Sequence, residues 1–80
     1  MAIVRSIEPG KQRIKAHSTE VDCHFAVVTD DSGEKLLHLT TFGSDSRKSA
    51  PKSSQSLQIN STIAGQLMRL LADTFPEAKV

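Results

Sequence analysis

Tryptophan and tyrosine are absent, and phenylalanine occurs only as Phe25, Phe42 and Phe75. So few rings limit the core and argue against a ligand pocket walled by aromatics. Cys23 is the single cysteine, which rules out a disulfide framework and a paired-cysteine metal finger. A lone thiol fits a reducing compartment, so the cytoplasm is the expected location. No apolar run approaches the ~20 residues a membrane span needs. The opening MAIVRSIEPG has neither the apolar stretch nor the small-residue cleavage site of a signal peptide, so a soluble protein is expected. Gly-x-Ser-x-Gly elbows and glycine-rich phosphate loops are missing as well. The expectation is a binding protein with no enzymatic activity, no catalytic residues and no cofactor.

What is present fits one domain spanning 1–80. A chain of 80 residues buries only roughly 60–65% of its unfolded surface, so its stability is expected to be marginal. With so thin a core, association into a homodimer is an obvious remedy. Ten Lys and Arg against nine Asp and Glu give a net charge of +1, but the charges are unevenly spread. Glu20, Asp22, Asp30, Asp31 and Glu34 fall in a stretch without cations, whereas Lys11, Arg13 and Lys15 fall in one without acids. Such asymmetry can make one side of a small protein basic.

The pattern predicts an α+β fold: four or five antiparallel strands followed by one C-terminal helix. Residues 2–8 are short and β-branched and end at the turn dipeptide Pro9-Gly10. In residues 11–18, Gln12, Ile14, Ala16 and Ser18 alternate with Lys11, Arg13, Lys15 and His17, as in a half-exposed strand. Residues 21–42 read as a hairpin around Asp31-Ser32-Gly33, with Gly33 in the left-handed position. That loop pairs Val27 with Leu37, Phe25 with Leu39 and Cys23 with Thr41, and a one-residue slip would destroy the match of apolar faces.

Residues 43–56 hold six serines and three cations, and they read as a mobile loop. A short strand SQSLQI follows, and Asn60 or Ser61 caps a helix ended by Pro76. Ile63, Leu67, Leu70, Leu71, Thr74 and Phe75 form its apolar stripe, widened by Ala64 and Met68. Packing on its own sheet is the plain expectation for that helix. The stripe is wide enough to receive a partner helix too, at Leu67, Met68 and Leu71.

Three chemistries compete for the polar residues. His24, His38 and Asp22 share a face of the hairpin, yet their spacing matches no known metal site, and no metal is expected. Cys23 falls mid-strand on the apolar face, where a thiol is inert packing. The serine-rich loop is the stronger signal. Arg47, Lys48 and Lys52 supply point charges, and hydroxyls of Ser44, Ser46, Ser49, Ser53 and Ser54 supply hydrogen bonds to phosphate. With Lys11, Arg13 and Lys15 these cations would neutralise several phosphates of a strand laid across the sheet, and an exposed Phe42 would stack on a base. The alternative is a protein-interaction module using a sheet edge or the helix.

The order of elements adds a resemblance. KLLHLTTF, the basic Pro51-Lys52 segment, and SQSLQIN (Ser54–Asn60) running into IAGQLMRLL (Ile63–Leu71) resemble the single-stranded-DNA-binding domain of the transcriptional positive cofactor family and its small bacterial relatives. The likeness covers about the last two-thirds of the chain. It implies four curved strands and a helix, a homodimer with packed helices, and sheets that cradle single-stranded DNA in transcription or genome maintenance. Gln55-Ser56 stands where the family has Lys-Gly, and Phe42 is the only counterpart of its binding-face aromatic.

Overall fold

The computed structural model describes residues 1–43 and 53–79. It shows an α+β arrangement, a four-stranded sheet followed by one C-terminal helix. The elements are β1 (Ala2–Ile3), β2 (Cys23–Thr29), β3 (Lys35–Phe42), β4 (Ser53–Ile59) and α1 (Ser61–Thr74). Their order across the sheet is β1-β4-β3-β2. β2, β3 and β4 are antiparallel, but β1 lies parallel to β4, with Ala2 opposite Leu57 and Ile3 opposite Gln58. The sheet is therefore mixed rather than wholly antiparallel.

The β2–β3 hairpin has the register that its apolar faces require. Val27 stands opposite Leu37, Phe25 opposite Leu39 and Cys23 opposite Thr41. Its tip closes through Asp30 N–H donating to the Glu34 carbonyl at 2.9 Å. Gly33 sits at φ 90°, a conformation open to glycine at no steric cost. β4 continues the pattern, setting Leu57 against Leu39 and Ile59 against Leu37. One face of the three long strands thus carries Phe25, Val27, Leu37, Leu39, Leu57 and Ile59.

Asn60 caps the helix: its side-chain oxygen accepts from Ile63 N–H at 2.9 Å. The helix ends at Phe75, just before Pro76, whose ring prevents a further turn. Buried apolar side chains among the described residues are three, Leu36, Ile59 and Ile63. They lie where the sheet meets the first helical turn, the corner also lined by Leu37, Asn60 and Ala64.

Two expectations fail here. Residues 11–18 form no strand and are exposed throughout. Alternation suits a strand but does not supply a partner, and no described strand lies alongside these residues. The helix, in turn, does not lie on its sheet. It meets the sheet chiefly at β4, and its stripe stays open beyond the first turn, with Met68 69% exposed and Leu70, Leu71 and Phe75 about half exposed. The extended Asn60 backbone joins β4 directly to the helix, leaving no loop in which the chain could fold back over the sheet. Ser53–Ser56, the end of the expected 43–56 loop, belong to β4, and residues 44–52 of that loop lie outside the described residues.

Candidate nucleic-acid interface

The two faces of the sheet have different chemistry. Opposite the apolar face, alternation sends His24, His38, Thr40, Ser56 and Gln58 to one side. Phe42 joins them at the end of β3, where a register shift between Thr41 and Phe42 moves its pairing to Ser53. Its ring lies against His24, with centroids 4.6 Å apart and planes tilted by 59°. Tilted contact of this kind suits the positive edge and negative face of aromatic rings. Phe42 is half-buried and His24 exposed.

Hydrogen bonds hold the rest of this face. Gln58 Nε2 lies 3.0 Å from His38 Nδ1. The Thr40 hydroxyl donates to the Gln55 carbonyl at 3.2 Å. Donors, acceptors and rings thus gather at the Phe42 end of this face, the mixture a nucleobase is read and stacked by, while Ala26, Val28 and the buried Leu36 make its other end apolar.

The residues singled out in the sequence are partly brought together. Phe42 falls on the polar face, beside a histidine otherwise considered only as a metal ligand. Lys11, Arg13 and Lys15 lie on the exposed irregular segment between β1 and β2, not on a cationic strand of the chain's own sheet. Arg47, Lys48 and Lys52 fall outside the described residues. Leu67 is half-buried, while Met68 and Leu71 are exposed. Among the described residues no cluster of three His, Cys, Asp or Glu side chains has the geometry to hold a metal ion. His24 and His38 are diagonal neighbours, since His24 pairs with Thr40 and His38 with Ala26. No described helix is long and apolar enough to cross a membrane.

Sequence reasoning missed the His24–Phe42 pair, although its parity was readable: both positions are even, and opposing His24 to Thr40 leaves Phe42 diagonal. It also missed an open groove of about 760 Å³ between Ile7–Pro9 and the helix side bearing Thr62, Gly65 and Arg69. No periodicity announces that groove, because it depends on the course of an irregular segment. Comparison with protein-family models, curated proteins and solved structures finds no match to this chain.

Proposed function

We propose that this chain is a non-enzymatic nucleic-acid-binding domain that takes single-stranded DNA on the polar face of its sheet and works as a homodimer. The observation that carries the reading is the His24–Phe42 pair, an accessible ring platform at the point where the chain enters its Ser/Arg/Lys-rich segment. A ring platform beside cations matches the needs of a single strand, whose bases stack and whose phosphates need charge. Arg47, Lys48 and Lys52, with Lys11, Arg13 and Lys15, supply that charge. The resemblance to the transcriptional positive cofactor family points the same way, toward a cytoplasmic role in transcription or genome maintenance.

The dimer is supported by area. The chain exposes 7638 Å², whereas a compact protein of its mass exposes about 4,700 Å². The exposed irregular segment before β2 and the open apolar side chains of the sheet and helix both contribute to the difference. Phe25 at 74% and Val27 at 62% exposure, with Leu57, Met68 and Leu71, are the apolar surface a dimer interface would cover.

The same open apolar surface favours a second reading, a protein-interaction module indifferent to nucleic acid. Fluorescence anisotropy separates the two. Labelled single- and double-stranded oligonucleotides are titrated with the protein at two salt concentrations. Salt-sensitive binding that prefers the single strand is expected, because phosphate contacts release counterions. Absence of binding at low salt leaves the interaction module.

A further inference from the structure

We infer that residues 11–18 of one copy add as an antiparallel strand to the β2 edge of a second copy, delivering Lys11, Arg13 and Lys15 to the partner's polar face. The inference rests on the homodimer reading above and specifies how its two chains engage.

β2 is the outer strand of the sheet. Asp22 and Phe42 are hydrogen-bonded, as are Asp30 and Glu34, so the even residues of β2 bond β3. The odd residues Cys23, Phe25, Val27 and Thr29 therefore turn their backbone N–H and C=O groups outward, away from any described strand. An edge of this length, apolar on one face and without proline, is a template for another strand.

The segment that fits it lies between β1 and β2. Residues 5–21 form no hydrogen bond or ion pair with the rest of the described chain. Residues 11–18 are exposed, Ile14 to 75%, though they alternate as a strand does. One register satisfies both sides. Setting Ile14 opposite Phe25 puts Gln12 opposite Val27 and Ala16 opposite Cys23 on the apolar face. The same register puts Lys11 opposite Val28, Arg13 opposite Ala26, Lys15 opposite His24 and His17 opposite Asp22. The cations then stand beside the His24–Phe42 platform, which otherwise has none among the described residues of β2, β3 and β4 except Lys35 at the far end of β3.

A second copy is the fitting occupant rather than the chain's own segment. The chain departs from β1, at the opposite edge of the sheet, and passes beside the helix at Ile7–Pro9. Its own β2 is left bare on that course. The β2 edge also continues the exposed Phe25–Val27 surface, so a partner strand there extends the interface that the excess area calls for.

Cys23 makes the test direct. Ala16→Cys is expected to form a 16–23 disulfide between chains under mild oxidation with oxidised glutathione, seen as twice the 8.7 kDa mass on a non-reducing gel and mapped by mass spectrometry. Wild type and Lys15→Cys, whose new thiol would face the other way, are expected to stay single. A 16–23 disulfide within one chain, a different linkage, or no linkage overturns the proposal. Sedimentation equilibrium and oligonucleotide binding of the wild type separate the failures. A dimeric, DNA-binding wild type without the interchain linkage sinks the strand addition alone; a wild type of single-chain mass sinks the dimer with it.

Discussion

Asp30 organises the β2–β3 turn through a single oxygen. Its Oδ1 accepts from Ser32 N–H at 2.9 Å, from the Ser32 hydroxyl at 2.7 Å and from Glu34 N–H at 2.9 Å. The Ser32 hydroxyl first, and then the Glu34 amide, hold this carboxyl below its ordinary value of 3.8. A lowered carboxyl stabilises the fold wherever it is ionised, fully above the unfolded value, and that stabilisation fades as the pH falls through the folded one. Asp30→Asn keeps an accepting oxygen and removes the charge. The variant is expected to melt below wild type at pH 7, with the gap narrowing as the pH drops beneath 3.8. A gap that is constant with pH would show that the charge contributes nothing. Phe42 is tested at the same scale. Phe42→Ala is expected to cost ~1–3 kcal/mol of single-strand binding, the worth of one stacked base, with its circular dichroism unchanged.

At the scale of elements, the helix depends on its start. Its first turn carries no acidic residue and its last turn no basic one, so the Asn60 cap is the chief terminal device. Asn60→Ala is expected to cost about 1 kcal/mol, a fall of roughly 4–8 °C in melting temperature for a domain of this size. Thermal denaturation followed at 222 nm reads it. This cap was legible in the sequence, as were the hairpin register and the short strand before the helix. Each is a local matter, settled by a turn residue, a parity or a side chain within four positions of its partner. The parallel seat of β1 on β4 was not legible, because a two-residue strand has no period to read. Nor was the stance of the helix. A wide apolar stripe states that something covers it, and the stripe looks the same whether its cover is the chain's own sheet or another molecule.

For the whole molecule, the decisive quantity is the apolar surface that stays open. Three buried side chains among the described residues make a small core, and the radius of gyration of 15.0 Å exceeds the about 12 Å of a compact chain of this length. Both follow if the sheet's apolar face and the helix beyond Leu67 complete their packing in a partner. Phe25→Ser and Leu71→Ser are therefore expected to leave the secondary structure of the single chain intact and to shift the dimer toward monomer in sedimentation equilibrium. The same changes in a self-sufficient monomer would alter neither mass nor fold, since both side chains face solvent there.

On the proposed reading, dimerisation and DNA binding are coupled through the cations, because among the described residues one chain alone gathers few of them on its polar face. A single-stranded site loses about 0.7 in the slope of log K against log salt for each phosphate contact removed. Replacing Lys11, Arg13 and Lys15 by Ala is thus expected to flatten that slope by about 2, and replacing Arg47, Lys48 and Lys52 to do the same. Phe25→Ser removes no cation. Should it nevertheless flatten the slope as the triple Lys11, Arg13 and Lys15 replacement does, the arm's charges reach DNA only when a partner's edge holds them. An unchanged slope would place those charges in the chain's own binding surface, and the homodimer would then serve stability alone.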